Sequence, residues 1–322
     1  MKLLIVTNMY PDLARPYNGI FVSEQVDGIR RWHPDVMVDV CFIDGSKGKM
    51  EYLKSILYVN RKINKGNYDL VHIHYGLSGL FMLLPFHKKI KSVVTFHGCD
   101  IQPQGDGGKL TRWISRQVAR KCDCCIVLNK GMHKVVDTCN KNNFIIPCSV
   151  DCRTFIPAIT KQKNETPIIV FPSKRNYHVK NYPLFADVLS ILRNKYGMQC
   201  EEIELKGFTR QQISDIFNKA DLMLMTSWSE GSPQVVKEAM ACNLPVVSTP
   251  VGDMEELLEG VKDCYVSEKH DAEELASLVV RALSHKGDGV TGSEKVKAMH
   301  LDSKSISDRI YKLYQTLTNN FF

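Results

Sequence analysis

The chain has 322 residues, of which 44% are hydrophobic, 9% aromatic and 24% charged, and these values are ordinary for a folded protein. The apolar fraction is large enough to bury a core, which excludes a disordered chain. Lys and Arg number 42 against 35 Asp and Glu. Residues 1–155 hold 22 against 13, a net charge of +9, whereas the remainder has a net charge of −2. We expect two domains of about 150 residues each, with different partners.

The cysteine count and the apolar stretches bear on the cellular compartment. Eleven cysteines, an odd number, favour reduced thiols. The apolar run Met1–Thr7 is too short for a signal peptide, and the longest uncharged apolar stretch, Tyr75–Phe86, is too short to span a bilayer. We therefore expect a cytoplasmic protein, and we exclude an integral membrane protein and a secreted disulfide scaffold.

The first half alternates short apolar strands with amphipathic helices. Lys2–Thr7 is apolar on both faces, which is typical of a buried parallel strand. The elements predicted after it are a helix at Phe21–Trp32, strands at Val36–Phe42 and Leu70–His74, a buried helix at Leu77–Phe86, a strand at Ser92–Phe96, a helix at Lys109–Lys121 and a strand at Cys124–Leu128. This order predicts parallel βαβ units.

The same rhythm restarts after Pro147–Pro167, a polar stretch with three prolines that we interpret as a linker. The elements predicted beyond it are a strand at Ile168–Phe171, a helix at Pro183–Tyr196, a helix from the capping box at Thr209 to Ala220, a strand at Leu222–Thr226, a helix at Pro233–Cys242, a strand at Val246–Thr249, and helices at Asp271–His285 and Ser305–Thr318.

These patterns predict an α/β fold of two doubly wound, Rossmann-like domains that face each other across a cleft. We place the N-terminal domain at residues 1–155 and the C-terminal domain at 156–302, with a last helix at about 303–322 that can pack back on the first domain. Ligands of such domains bind at the carboxyl ends of the strands, so the cleft is the expected active site.

The segment Ser227–Thr249 carries the strongest indication of chemistry. Its loop contains Gly231, which lets the backbone approach a ligand closely. We predict Ser232 as the N-cap of the following helix, with Pro233 at its first position. The free amides of this helix start, from Ser232 to Val235, predict an anion site suited to a diphosphate.

Two carboxylates flank this predicted anion site. Glu230 lies just before the helix and Glu238 lies within it. A carboxylate does not bind phosphate, but it accepts hydrogen bonds from hydroxyls. The two glutamates can therefore bind hydroxyls on the two sides of the diphosphate, those of a sugar on one side and those of a ribose on the other. The alternative is that Glu230 is a loop charge and Glu238 a solvated helix residue.

Several stretches resemble one family of enzymes. Glu230-Gly231 before the helix and Glu238-Ala-Met-Ala-Cys242 within it resemble the retaining glycosyltransferases of family four (group 1), which have the GT-B fold. Other matching stretches are Leu244–Asp253, Asn8–Pro11 before the loop that ends at Gly19, Val94–Asp100 and Ile145–Asp151.

The resemblance implies roles for particular residues. Glu230 would contact the donor sugar, and Glu238 would bind the ribose hydroxyls. Lys180 and a basic partner would grip the diphosphate; we assign Arg175, with Lys174 as the alternative. The resemblance also places His97 beside the sugar and Gly19 beside the reacting phosphate. The other residues expected to bind the donor are Gly231, Ser232 and Val235. A solvated basic loop and a histidine that caps a strand end are the structural alternatives.

One departure from the family concerns the base of the nucleotide. Members usually have an extra strand and a Gly-rich loop between the helix that ends near Tyr196 and the helix that starts near Thr209. Only Gly197–Phe208 occupies that interval here. Since the loop helps to hold the base in many members, the sequence leaves the base open.

Two further patterns do not fit a metal or a dinucleotide. Cys122–Cys125 enters a strand, where residues three apart point to opposite faces, so we expect buried thiols rather than zinc ligands. Gly287–Gly292 matches a dinucleotide fingerprint but follows a helix rather than a strand. Since Asp-x-Asp occurs nowhere, we expect no metal and no cofactor besides the donor substrate, a nucleoside diphosphate sugar.

The resemblance thus predicts a hexosyltransferase-type enzyme that moves a sugar, with retention, to a hydroxyl of a glycan or lipid-linked acceptor in cell-surface polysaccharide assembly. The alternatives are a GT-B sugar-nucleotide epimerase or hydrolase, and a non-catalytic nucleotide-sugar-binding subunit. No nucleic acid is expected as a partner. A basic stripe on the helix at Lys109–Lys121 predicts peripheral contact with anionic lipid at the inner face of the cell membrane, against the alternative of a solvated face.

Overall fold

The computed structural model describes residues 1–84, 86–103, 108–160 and 164–319. Contacts divide this part of the chain into two compact units. Unit 1 contains Met1–Ser149 together with the described residues from Ser303 onward, and unit 2 contains Val150–Asp302. Each unit is an α/β domain built on a parallel sheet, so the predicted fold class is confirmed.

The strands follow the predicted order and add three short ones that the sequence analysis lacks. They are β1 (Lys2–Thr7), β2 (Met37–Phe42), β3 (Leu70–His74), β4 (Lys91–Thr95), β5 (Cys124–Val127), β6 (Asn143–Ile145), β7 (Ile168–Phe171), β8 (Glu201–Glu204), β9 (Leu222–Met225), β10 (Val246–Ser248) and β11 (Tyr265–Val266). The added strands are β6, β8 and β11.

The helices include four that were not predicted, namely α2, α4, α8 and α10. The α-helices are α1 (Ile20–Trp32), α2 (Met50–Gly66), α3 (Lys109–Lys121), α4 (Lys130–Asp137), α5 (Tyr182–Tyr196), α6 (Arg210–Lys219), α7 (Gln234–Ala241), α8 (Met254–Leu258), α9 (Ala272–Leu283), α10 (Gly292–Ala298) and α11 (Ser303–Asn319). The last predicted helix extended to residue 322, and residues 320–322 lie outside the described part of the chain.

Unit 1 is a doubly wound sheet. Within the described residues its strand order is β2-β1-β3-β4-β5-β6, and every pairing is parallel. β1 and β3 are buried almost throughout because helices cover both faces. On one face α11 packs against α1. Its buried residues recur at helical spacing (Ile306, Ile310, Tyr314 and Leu317) and join the core formed by Leu3 and Ile5 of β1.

Unit 2 repeats the same plan. Its described strands pair in parallel in the order β11-β10-β9-β7-β8. The chain moves from β7 outward to β8 and then back past β7 to β9. The carboxyl ends of β7 and β9 therefore flank the switch point, where open α/β sheets bind ligands.

Two predictions about local structure are wrong. Gly76–Leu83 form a 3₁₀-helix instead of the α-helix predicted at Leu77–Phe86, of which Pro85 lies outside the described residues. The predicted linker Pro147–Pro167 begins too early, because Val150 and Phe155 are buried in the core of unit 2. Residues 161–163 of that stretch are not among those described.

The strand that seemed missing from Gly197–Phe208 is also present. β8 is an edge strand of sequence Glu-Glu-Ile-Glu that pairs in parallel with β7. It escapes recognition because three of its four residues are glutamates, which are depleted in strands. The departure from the family on this point is therefore corrected.

Candidate active site

Two loops at the carboxyl edge of the unit 2 sheet bring the first predicted site residues together. Lys180 lies in the loop after β7, and Glu230 lies in the loop after the neighbouring strand β9. Lys180 Nζ lies 2.6 Å from Glu230 Oε1. The two side chains are only 15% and 13% exposed, so the ion pair is largely shielded from water. The two residues that the resemblance assigns to the diphosphate and the sugar therefore form one pair.

Backbone hydrogen bonds hold these two loops in register. The Trp228 amide donates to the Val179 carbonyl at 2.9 Å. The hydroxyl of buried Thr226 donates to the carbonyls of Lys180 and Asn181 at 3.1 and 3.0 Å. Asn181 has a left-handed backbone (φ 51°) at the start of α5. The position of Lys180 beside Glu230 is thus fixed by the backbone as well as by charge.

The second predicted carboxylate is paired with a cation that the sequence analysis did not assign. Arg210 is the first residue of α6 and directly follows the N-cap Thr209, whose predicted capping box with Gln212 is confirmed. One of its terminal nitrogens lies 2.5 Å from Glu238 Oε1. Glu238 is 2% exposed, and the guanidinium also lies over the ring of Phe155 at 4.6 Å. A buried carboxylate is costly unless a cation or hydrogen-bond donors compensate its charge. The apolar neighbours of Glu238 in α7 were therefore the one sequence signal that such a partner had to be sought.

Glu238 is therefore not the solvated helix residue of the alternative interpretation. It lies in α7, where the residues from Val236 to Ala241 are buried. Its carboxylate is held at the carboxyl side of the sheet by Arg210, an arginine from the helix that follows β8. A buried carboxylate with a fixed orientation is suited to accept hydrogen bonds from a pair of hydroxyls.

Arg175 occupies a different place from Lys180. Its guanidinium contacts Glu202 of β8 at 2.8 Å and lies over the ring of Tyr182 at 4.9 Å. Its backbone amide donates to Glu204 Oε1 at 3.0 Å. The Arg175 side chain is 48% exposed. The described contacts thus attach Arg175 to β8, whereas Lys180 is attached to Glu230.

Ser232 does not cap α7 as predicted. Pro233 occupies the N-cap position, and no side chain caps the helix there. The Ser232 hydroxyl instead donates to Asp253 Oδ2 at 2.5 Å and accepts from Lys237 Nζ at 3.0 Å. Lys237 is fully buried. Burial raises the pKa of Asp253, and the nearby lysine opposes that shift. Ser232 thus ties the loop after β9 to the loop after β10.

The glycines of this edge are in close contact. Gly252 has a φ of 62°, and a Cβ there would lie 2.7 Å from the Gly231 carbonyl oxygen and 3.3 Å from Glu230 Cβ. A larger residue would therefore displace the loop that carries Glu230. Val235 lies half-buried in the first turn of α7. Its amide belongs to the first turn, where the helix itself supplies no acceptor.

The remaining predicted residues lie in unit 1. His97 follows β4, and its Nε2 lies 3.2 Å from Nδ1 of His74. Its backbone amide donates to Asp100 Oδ1 at 2.9 Å. Burial lowers the pKa of His97 to about 3, so the ring is neutral at physiological pH. Gly19 precedes α1 with a φ of 62°, and a Cβ there would lie 2.3 Å from the carbonyl carbon of Met9. Only glycine fits that position.

No group of three or more His, Cys, Asp or Glu side chains within the described ranges is arranged to hold a metal ion. None of the described helices is both long enough and apolar enough to cross a bilayer.

Comparison with known proteins identifies the family. Two family models match the chain, Glycosyltransferase Family 4 over residues 12–154 and Glycosyl transferases group 1 over residues 186–285. The chain is 37% identical over 348 aligned positions to the putative teichuronic acid biosynthesis glycosyltransferase TuaC of Bacillus subtilis (strain 168). That alignment covers 87% of this chain and 89% of the relative.

Two solved structures have the same fold. Sucrose-phosphate synthase from Thermosynechococcus elongatus has a TM-score of 0.81 at 16% identity, over 99% of both chains. HepE of Anabaena in complex with UDP-glucose has a TM-score of 0.71 at 15% identity, over 98% of this chain and 100% of the other. The matched family models, the relative that is 37% identical and these shared folds lead to one conclusion: the chain belongs to the family 4, group 1 glycosyltransferases and has the GT-B fold.

Proposed function

We propose that this glycosyltransferase moves a sugar from a nucleoside diphosphate sugar to a hydroxyl of a glycan or lipid-linked acceptor, with retention of the anomeric configuration, in the assembly of a cell-surface polysaccharide. The similarity to TuaC, a putative teichuronic acid biosynthesis enzyme, supports the polysaccharide. The similarity in fold to HepE, solved with UDP-glucose, makes uridine diphosphate sugars the first donors to test.

The observation that carries this proposal is the pair of cation–carboxylate contacts at one sheet edge of unit 2. Lys180 is paired with Glu230, and Arg210 is paired with Glu238. On donor binding, Lys180 would exchange Glu230 for the diphosphate, which is a stronger anion. Glu230 would then be free to accept hydrogen bonds from the sugar hydroxyls. Glu238, still oriented by Arg210, would accept them from the ribose.

Charge on the departing phosphate would be stabilised by residues of unit 2 without a metal. Lys180 and the amides between Ser232 and Val235 are the groups that we assign to this task. Arg175 remains a proposal, because it would have to leave Glu202 before its guanidinium could reach a phosphate. Its half-exposed position makes that exchange inexpensive.

Retention follows if the acceptor attacks from the face that the leaving group occupies. Glu230 and His97 would orient the sugar for this attack. A phosphate oxygen of the leaving group would accept the acceptor proton, as the family resemblance implies. Gly19 would let the backbone approach the reacting phosphate.

A panel of nucleoside diphosphate sugars tests the proposal. A donor present at a hundred times its dissociation constant should stabilise the protein against unfolding by about 2.7 kcal/mol. Incubating the best donor with candidate acceptors should then give a glycoside whose anomeric configuration, read by NMR, matches that of the donor. An inverted product would refute the proposed stereochemistry, and no stabilisation by any donor would refute the donor class.

Ligand titrations separate the roles of the two glutamates. Glu238→Ala should weaken both the donor and the free nucleoside diphosphate, since both contain ribose. Glu230→Ala should weaken the sugar-bearing donor and leave the free nucleotide nearly unchanged. Calorimetry with both ligands measures this, and the reverse pattern would show that the roles are exchanged.

Peripheral membrane contact is a second part of the proposal. Besides Arg116 and Arg120, α3 exposes Leu110 and Trp113, which are 68% and 57% exposed. Apolar side chains among basic ones are typical of helices that lie at a lipid surface. This arrangement supports docking on an anionic membrane and a place at its cytoplasmic face.

A further inference from the structure

Three histidines lie side by side at the carboxyl edge of the unit 1 sheet. His72 and His74 belong to β3, and His97 follows the neighbouring strand β4. The rings of His72 and His74 stack with centroids 4.3 Å apart, and those of His74 and His97 lie 5.4 Å apart. We refer to these three residues as the histidine cluster. Only His97 is a predicted site residue, so the other two require their own explanation.

All three rings are neutral at physiological pH. Burial lowers the pKa of His72 and of His97 to about 3, and it lowers the pKa of His74 well below its usual value. A neutral imidazole has one nitrogen that donates and one that accepts. The partner of each nitrogen therefore determines on which nitrogen the proton lies.

The chain of contacts starts at Gln25 of α1. Its amide nitrogen, Nε2, lies 3.4 Å from His74 Nε2. An amide nitrogen only donates, so His74 Nε2 accepts and the His74 proton lies on Nδ1. That Nδ1 lies 3.2 Å from His97 Nε2 and donates to it. The His97 proton must then lie on its own Nδ1.

We propose that Gln25 and His74 are positioning residues that hold His97 in the tautomer with its proton on Nδ1. Within the described residues, no group accepts a hydrogen bond from this Nδ1, and His97 is partly exposed. His97 therefore presents an N–H donor to a ligand. If the proposed function is right, on which this assignment rests, that donor binds a hydroxyl oxygen of the transferred sugar.

The surroundings keep the His74 ring in place. His72 stacks on it and is itself held at both nitrogens, by the hydroxyl of Tyr314 at 2.5 Å and by that of Thr95 at 2.7 Å. His74 is completely buried. Because the His74 ring is held in place and accepts a hydrogen bond at Nε2, it carries its proton on Nδ1. The orientation of the Gln25 amide therefore determines the tautomer of His97.

The tautomers are measured directly by NMR. Long-range ¹H–¹⁵N spectra of the full chain, labelled at histidine nitrogens, distinguish a proton on Nδ1 from one on Nε2. The signals of His97 and His74 are assigned by their loss in His97→Gln and His74→Gln. We expect the Nδ1–H form for both rings. The Nε2–H form on both would mean that Gln25 presents its oxygen to His74, and it would overturn the proposal.

Gln25→Leu removes the donor at the start of the chain. His97 should then populate both tautomers, while Asp27→Asn, an exposed change on the same helix, should leave the spectrum as it is. An unchanged His97 tautomer in Gln25→Leu would overturn the role of Gln25. This readout needs neither donor nor turnover, so it stands even if the proposed transfer reaction is wrong.

Kinetics test the role in sugar binding. If His97 donates to the sugar, Gln25→Leu should lower kcat/KM for the donor about two- to tenfold, because only one tautomer is competent. The affinity for the free nucleoside diphosphate should stay the same. A tautomer shift without any loss in kcat/KM would overturn the contact with the sugar, and a matching loss of nucleotide affinity would do so as well.

Discussion

Replacing Arg210 with methionine should destabilise unit 2 by about 3 kcal/mol. The substitution removes the only cation that the described structure pairs with Glu238. The Glu238 side chain is 2% exposed and lies on a buried helix face, so its charge would remain unpaired there. Removing one partner of a buried ion pair costs about 3–5 kcal/mol, because the other charge remains unpaired. We take the lower end because Arg210 is itself 21% exposed.

Two contributions can be separated with further variants. Methionine keeps most of the packing on Phe155 but loses the cation–π contact, which contributes about 0.5–1 kcal/mol at a partly exposed site. Glu238→Gln leaves the charge on Arg210 instead, and because water reaches that side chain we expect a cost of only about 1–2 kcal/mol. Arg210→Met combined with Glu238→Leu should recover much of the loss, since no charge is then buried.

The assay must report on unit 2 alone, because two units need not unfold together. Hydrogen exchange of peptides from α7 and β9 in increasing urea gives that local free energy. In thermal unfolding, the loss corresponds to about 6–12 °C for a domain of this size. Arg193→Met, at an exposed arginine of α5, is the matched control. The reasoning is refuted if Arg210→Met costs no more than Glu238→Gln.

Four other predictions concern activity, metal, pH and membranes. Lys180→Ala should lower kcat about tenfold to a thousandfold, because the ammonium contacts the leaving phosphate; steady-state kinetics check this, and full activity would exclude Lys180. Turnover should survive excess EDTA, and a loss restored by a divalent ion would contradict a metal-independent site. Unit 1 should lose stability as pH falls below about 6.5, because the rings of the histidine cluster have lowered pKa values in the folded state. Each ring contributes up to about 1.4 kcal/mol per pH unit. Urea unfolding at pH 7 and at pH 5 measures this, and equal urea midpoints at the two pH values would refute it. Vesicle sedimentation should show binding to anionic but not neutral lipid, weaker at physiological than at low salt. Glutamate at three positions of α3 should abolish it without changing donor affinity: Arg112, Arg116 and Arg120.

Most strands and helices follow from apolar periodicity, and the exceptions have physical reasons. α2 escapes recognition because Leu53 and Leu57 are apolar but 52% and 70% exposed, so the apolar residues do not mark one buried face. The short strands β8 and β11 lie at the two edges of their sheet, where few apolar residues are needed. Apolar periodicity identifies elements whose apolar residues mark one buried face, which is not the case in these elements.

The candidate site shows a similar division. The sequence predicts that Lys180 and Glu230 lie at one edge of the sheet. Each follows a strand predicted to be parallel, and the carboxyl ends of parallel strands share an edge. It does not show that Arg210 reaches Glu238, since that contact joins residues 28 apart on two helices. Nor does it show the contact of Arg175 with Glu202, which depends on recognising β8. Pairings between elements depend on packing, for which local patterns carry little information.

The return of α11 to unit 1 has a consequence for biosynthesis. The Tyr314 hydroxyl contacts His72, a residue 242 positions earlier, and the helix covers one apolar face of the sheet. A ribosome therefore releases all of unit 2 before it releases the helix that completes unit 1. At about 5–20 residues per second, that face of the nascent chain waits roughly 10–30 s for its cover. The N-terminal domain therefore cannot complete its core until unit 2 has been synthesised. Until then, the first sheet has all its strands but one uncovered apolar face, and this is the form that a chaperone would have to protect.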